Sequence, residues 1–307
     1  MGSQENWGET MKTRNLKNEI FKIISYAAGA LTVLILVGIL GKITIEALPS
    51  LNLDFIFRSE SEVKGFGGGI GNAVVGTIIL SILSPLLAAP IAVGTAIYLR
   101  KYAKEGLLVQ IYSFFIDVLA GTPSIVLGIF GLLFLVYTLR PITGGFSMIS
   151  GLIALSILIL PVIEKAAESA INTVPEELEQ ASYALGATKW QTIKLVTLPY
   201  ALIGIVSGIV LSIGRAAEES AVVILTAGYT QFFPELKIAA NDKLLFGIKI
   251  YPFQDLIAAL PITVYHAFEF PHLVDRSEGF AAAFVLILIV MLINLGTRLL
   301  LRRRKIG

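Results

Sequence analysis

Six apolar runs divide this chain, at 20–48, 71–99, 107–139, 147–171, 200–227 and 279–301. About 20 apolar residues at 1.5 Å per residue cross the roughly 30 Å hydrocarbon layer of a bilayer. In that layer every backbone N–H and C=O needs a partner, a condition a helix meets by itself. Runs of this length therefore constrain the chain more than any other feature. Composition agrees, with 15% charged residues where a soluble domain carries about 25%. The expected fold is an all-α polytopic membrane protein with six transmembrane helices. The absence of cysteine excludes disulfides and thiolate metal sites. His266 and His272 alone make a poor zinc or haem site.

The first run follows Lys12, Arg14, Lys17 and Lys22 and ends in Glu46-Ala47-Leu48-Pro49. It is longer than the 7–15-residue core of a signal peptide and is read as a retained helix. The third run is interrupted by Gly121-Thr122-Pro123-Ser124, giving either a broken helix or an interfacial helix followed by a span. Pro85, Pro90, Pro123 and Pro161 all fall inside runs, where neighbouring helices or a polar cavity must satisfy the freed backbone groups.

Lys and Arg placement sets orientation. With the N-terminus inside, about fifteen of the 24 basic residues fall on the cytoplasmic side, among them Arg100, Lys101, Lys104, Lys165, Lys189, Lys194 and Arg302–Lys305. The expected organisation is a cytoplasmic tail at 1–19, the first helix at 20–48, an external linker at 49–70 and one transmembrane domain at 71–301. A basic cytoplasmic tail follows at 302–307. The linker ends in the glycine-rich run Gly65–Gly71, read as a flexible joint. The external segment 228–278 is too long for a plain loop. Its stretch Phe253–Phe268, broken by Pro261, reads as a hairpin or half-helix lying on the membrane face.

Between the fourth and fifth runs lies a polar island, 174–199. Pro175 followed by Glu176, Glu177 and Glu179 is the composition of a helix N-terminus. Gly186 either ends a short helix or admits another backbone. Leu178, Ala181, Leu185 and Ala187 offer a small face, suited either to a groove on a soluble partner or to the headgroup layer.

In the fifth run Arg215 lies about 21 Å along its helix, counted from Ala201. A charge so placed faces a bundle interior or an aqueous cavity. Glu218 and Glu219, three and four positions on, share that side of a continuous helix, and either acid could neutralise the guanidinium. Alternatively Arg215 lines an oxyanion pathway, its fork of donors matching phosphate oxygens, with Glu219 holding it or taking a proton. Gly204, Gly208, Ser212, Ala216 and Ser220 recur every four residues, a stripe that lets helices approach closely. Ser220, Thr122 and Ser124 are further candidate donors. Nothing here is arranged for catalysis, and there is no GxxxxGK[ST] phosphate loop.

Gln180-Ala181-Ser182-x-x-x-Gly186, then nine residues and Val196-x-Leu198-Pro199, resembles the EAA signature of ABC importer permeases. Gln180, Ser182 and Val196 depart from its Glu, Ala and Ile. The resemblance extends through Gly68-Gly69-Ile70-x-Asn72-Ala73, Gly121-Thr122-Pro123-Ser124, Ala184–Ile193, Arg215-Ala216-x-x-Glu219-Ser220-Ala221, and Asn294 with Arg298. These stretches are similar to phosphate importer permeases of the PstA type, and several are shared with the companion PstC type. The resemblance implies the type I importer permease fold, with 174–199 as a coupling segment docked on a cytoplasmic ATPase. Glu179, Gln180, Ala181, Leu185, Gly186, Ala187, Leu198 and Pro199 would serve that docking. It also implies a second, PstC-like permease, an ATPase dimer and an external phosphate-binding protein. ATP and magnesium would be used by the ATPase, with no cofactor on this chain. The rivals are an importer for molybdate or sulfate, the PstC-type partner subunit, and an ion-coupled secondary transporter.

Overall fold

The computed structural model describes residues 4–63, 66–104, 106–241, 244, 245 and 247–304. Lys64, Gly65, Lys243 and Lys305 lie outside the described residues. In chain order the elements are α1 (Gln4–Ala47), α2 (Leu53–Phe57), α3 (Glu60–Val63), α4 (Gly71–Ile97), α5 (Leu107–Gly121) and α6 (Ser124–Gly131). Then come α7 (Arg140–Thr143), α8 (Met148–Asn172), α9 (Glu176–Ala184), α10 (Lys189–Thr192), α11 (Leu198–Glu218) and α12 (Ala221–Thr226). Strands β1 (Ile238–Ala240) and β2 (Ile248–Ile250), α13 (Leu260–Glu269) and α14 (Arg276–Arg304) complete the order. π-helical turns at Tyr98–Tyr102 and Leu132–Thr138 extend α4 and α6, and a third at Ile193–Thr197 leads into α11.

Among the described residues, five helices are long and apolar enough to cross a membrane. The pair α5 and α6, bent by 103°, makes a sixth if it counts as one span. The bend falls at Thr122-Pro123. Proline forces the residue before it out of the helical region, and Thr122 is extended at ψ 129°.

The centre of the bundle is α4, α8 and α11. Leu80, Ala88 and Ala92 of α4 pack with Leu155, Ile159 and Ile163 of α8 and Ala216 of α11. Lipid tails are as apolar as Leu, so close packing rather than water exclusion holds such helices together. The small stripe on α11 provides it. A Cβ added at Gly204 or Gly208 would stand 2.5 or 2.3 Å from the Cβ of Ala170 or Ala166 on α8. Ser156 Oγ also donates to the Ser84 carbonyl at 3.0 Å, a polar tie between α8 and α4. A second core joins the end of α1, α2, the start of α4, α13 and α14 through Ala47, Phe55, Ala73, Leu260 and Ala282. The apolar side chains of α1, such as Leu34 and Val37, are otherwise exposed.

The described part of the 1–19 tail is helical and continuous with the first span, whose apolar stretch runs from Lys17 to Ala47. The structure corrects the sequence reading in three places. The fifth run is not one helix. Glu219 is extended (φ −77°, ψ 120°) and α11 stops before it. Its Oε1 accepts the Val222 N–H at 3.3 Å, so the acid caps a new helix instead of extending the old one.

The joint before α4 is tightly packed, not flexible. The Gly71 N–H donates to the Arg58 carbonyl at 2.8 Å, and a Cβ on Gly71 would stand 2.6 Å from the Phe57 carbonyl. Finally, 228–278 forms an antiparallel β1–β2 hairpin, Ala239 opposite Lys249, followed by α13. That half-helix does not lie flat on a face. Leu260, Ile262 and Ala267 are buried, and the Leu260 N–H donates to Thr77 Oγ1 of α4 at 2.8 Å.

Candidate functional site

Two features lie along and at one end of the bundle: a cavity beside α11, and the island α9–α10, which defines the α9 end. The cavity, about 620 Å³, is lined by Leu119, Ala120 and Thr122 at the α5–α6 bend, Pro161 and Lys165 of α8, Leu211, Gly214, Arg215 and Glu218 of α11, and Val290 and Asn294 of α14. Its wall exists because α5 breaks at Thr122-Pro123 and α11 stops at Glu218.

Arg215 is exposed and lies within 4 Å of no carboxylate oxygen among the described residues, Glu218 included. A guanidinium without such a counter-ion on the wall of an apolar bundle leaves its donors free for an anion. Lys165 stands on the same wall, its Nζ 2.5 Å from Asp117 Oδ1. The cavity therefore presents two cations, one of them already paired.

Lys165 is a residue the sequence reading missed, because it was assigned to the cytoplasmic charge set. Its place 17 residues into α8, four after Pro161, was the available signal. Asn294 lines the same cavity, with Nδ2 donating to the Val290 carbonyl at 2.9 Å.

Of the expected pathway residues, Thr122 and Arg215 come together in the cavity. Thr122 Oγ1 donates to the Val118 carbonyl at 2.6 Å, which leaves its lone pairs rather than its proton available. Glu219, Ser220 and Ser124 are not on the lining. The break after Glu218 turns Glu219 toward the start of α12 and takes Ser220 off the α11 stripe, which ends at Ala216. Ser124 opens α6 beyond the bend. Glu218, still helical and three residues after Arg215, occupies the position the sequence reading gave to Glu219.

In the island, Pro175 precedes α9, whose first turn carries Glu176, Glu177 and Glu179. Gly186 has φ +83° and open space where a Cβ would go. The left-handed backbone, not a close approach, requires glycine there. It turns the chain into α10, which Thr188 and Gln191 open with a capping box.

The two sides of α9 differ sharply. Leu178, Gln180, Ala181, Tyr183 and Leu185 are exposed, with Leu185 at 90%, and Ala187 is half-buried. Gln180 Nε2 reaches only Glu176 Oε1, at 3.1 Å. Glu179 points inward. Its Oε1 lies 2.6 Å from Lys101 Nζ and accepts from Thr197 Oγ1 at 2.6 Å. Burial pushes its pKa up, but Lys101 and Thr197 outweigh that and hold it below the ordinary carboxylate value. Glu179 thus faces its own helices, whereas the sequence reading placed it among partner contacts. Leu198 and Pro199 open α11 immediately after the π turn.

An exposed apolar knob on a polar island, joined to a bundle of apolar spans with an arginine on its cavity wall, suits a subunit of a membrane transporter. The chain belongs to the family of binding-protein-dependent transport system inner membrane components, which its residues 88–306 match. Within that family it is 36% identical over 247 residues to phosphate transport system permease protein PstA 1 of Mycobacterium tuberculosis, covering 78% of this chain and 73% of that one. It is 28% identical over 295 residues to PstA of Yersinia pestis, covering 95% and 92%. Among solved structures, a bacterial alginate ABC transporter bound to its periplasmic protein superposes with TM-score 0.64 at 15% identity over 97% of both chains. The inward-facing MetNI methionine transporter gives 0.57 at 18% over 75% and 94%. At those identities the likeness is one of fold.

Proposed function

We propose that the chain is the permease subunit of an ATP-driven importer of inorganic phosphate, with both termini and α9–α10 in the cytoplasm. Relatives named as phosphate permeases match most of the chain. The observation that carries the reading to a mechanism is the unpaired Arg215 on the cavity wall. A planar fork of donors at the edge of an apolar bundle suits a tetrahedral oxyanion. The permease passes phosphate through unaltered. ATP and magnesium are used by a separate ATPase dimer whose groove receives Leu185 and its exposed neighbours. A PstC-like permease completes the pathway, and an external phosphate-binding protein delivers the anion to the hairpin end.

Arg215 takes the phosphate oxygens in this scheme, Lys165 supplies a second positive charge once Asp117 yields it, and Thr122 and Asn294 border the passage. Glu218 lines the same cavity without pairing with the guanidinium, so the donors of Arg215 stay open to the anion. The test is uptake of radiolabelled phosphate by the assembled importer in proteoliposomes, challenged with excess molybdate or sulfate. Phosphate alone should compete strongly. Equal competition by molybdate or sulfate would move the assignment to another oxyanion, and anion flux by this chain alone would favour a secondary transporter.

A further inference from the structure

At the α9 end, three consecutive residues of the π-helical turn Tyr98–Tyr102 each hold a different element. Arg100 Nη2 lies 2.5 Å from Glu168 Oε1 on α8. Lys101 Nζ lies 2.6 Å from Glu179 Oε1 on α9. The Tyr102 ring receives Lys189 Nζ of α10, 4.9 Å from its centroid. Glu179 reaches further, since the same oxygen accepts from Thr197 Oγ1 at the entry to α11. The turn is closed by the Ala103 N–H donating to the Tyr98 carbonyl at 2.8 Å, five residues back. Such widened turns recur at functional positions in helices, and here the extra residue falls where the side chains must fan outward.

We propose that Arg100-Lys101-Tyr102 is the transmission hub of this permease. In this role three neighbouring side chains bind α8, α9 and α10 to the end of α4, so that displacement of the coupling segment moves α4 and α8 together. The proposal rests on the reading of α9 as a coupling segment and deepens it. The exposed side of α9 meets the partner, and the buried side, through Glu179, meets the hub. Glu179 is a positioning residue that acts through Lys101 and Thr197.

The three contacts are unequal. Exposed ion pairs and cation–π contacts contribute little, and the Arg100 and Glu168 side chains are 44% and 28% exposed. Lys101 and Glu179 are 18% and 11% exposed, and they share their oxygen with a hydroxyl. The Lys101–Glu179 pair is therefore the contact whose loss leaves a desolvated charge. From α8 the linkage leads toward the cavity, because Glu168 lies three residues beyond Lys165 on the same helix.

The test uses the complete importer, this chain with its companion permease, ATPase and phosphate-binding protein, in proteoliposomes. Lys101→Glu and Glu179→Lys are compared singly and together. The readouts are co-purification of the ATPase and phosphate moved per ATP hydrolysed. Each single reversal should leave the ATPase bound and cut phosphate per ATP about tenfold, the size of an ordinary coupling term. The double reversal should recover at least about threefold of that loss, less than all of it because Lys189 also lies near the Glu179 carboxyl. Lys101→Met, which keeps bulk and adds no repulsion, should uncouple in the same direction if the reversals fail to assemble. Unchanged phosphate per ATP in Lys101→Met, or assembled single and double reversals with equal losses, would overturn the hub. If the unmodified importer shows no ATP-driven uptake, it is the importer reading that fails instead.

Discussion

Glu179 at the α9 end and Glu60 at the hairpin end are both carboxylates buried where a loop meets the helix bundle, yet their surroundings are opposite. Glu179 has Lys101 Nζ at 2.6 Å and stays ionised. Glu60, 2% exposed, accepts from the Tyr229 hydroxyl and has the Glu278 carboxylate nearby. Burial pushes its pKa up to about 7, with Glu278 adding to the rise against the lowering effects of Tyr229 and the Gly67 backbone. One end is therefore joined by charges that hold through the physiological pH range. The other is joined by close backbone contact and a carboxyl that titrates near neutrality. An electrostatically satisfied joint suits a segment that must move as a body. A tightly packed joint suits an anchor.

The sharpest way to break this contrast is Gly186→Asp. Open space surrounds Gly186, so a side chain meets no clash there, and the cost to the fold is the left-handed backbone (φ +83°), about 1–2 kcal/mol for a residue with a Cβ. The variant should remain in the membrane with its thermal unfolding modestly lowered and lose ATP-driven uptake entirely. Normal uptake would show that α9 is not the coupling element. Next in size, Arg215→Lys should lower phosphate uptake by more than about tenfold without loss of assembly, because lysine keeps the charge but not the fork. Unchanged uptake would remove Arg215 from the pathway.

The mirror experiment at the hairpin end is Gly76→Ala, whose Cβ would stand 2.0 Å from the Ala258 carbonyl. Overpacking against backbone costs about 1–3 kcal/mol, so thermal stability should fall while phosphate moved per ATP by the surviving protein is kept. A loss of coupling without a loss of stability would erase the distinction between the two ends.

The smallest effect concerns pH. Glu60 binds its proton more tightly when folded, at about 7, than in the unfolded chain, at the ordinary carboxyl value of 4.5. Its contribution is therefore greatest below about pH 4.5, declines as pH rises to about 7 and is flat above, by roughly 3 kcal/mol in all. Glu60→Gln should remove that decline in a thermal-unfolding series. His266, whose pKa burial lowers with Glu269 opposing, acts in the other direction below pH 6.5, so the comparison is the variant against the unmodified chain across the same series. An identical slope in both would place the titrating group elsewhere.

Much of this architecture is legible in the sequence. Apolar run length marks the helices, Pro123 marks the bend, and Pro175, the glutamates and Gly186 mark the limits of α9. The misplaced features depend on partners distant in the chain. Nothing local to 200–227 says that Glu219 will cap a new helix at Val222 instead of continuing α11. The glycines before α4 read as flexible because the backbone they admit, Phe57 and Arg58, adjoins them only after folding. Glu179 read as a partner contact because its burial depends on Lys101, 78 positions away. Lys165 read as one of many inside-positive charges until the fold put it on the cavity wall with Arg215.

The central claim is that an ATPase acting on α9 drives phosphate past Arg215. It is tested most directly by phosphate uptake in proteoliposomes holding this chain with the companion permease, ATPase and binding protein, with and without ATP, beside vesicles holding this chain alone. The account predicts accumulation only in the complete, ATP-supplied vesicles, lost in Gly186→Asp. Phosphate movement by the chain alone, or equal movement without ATP, would contradict it.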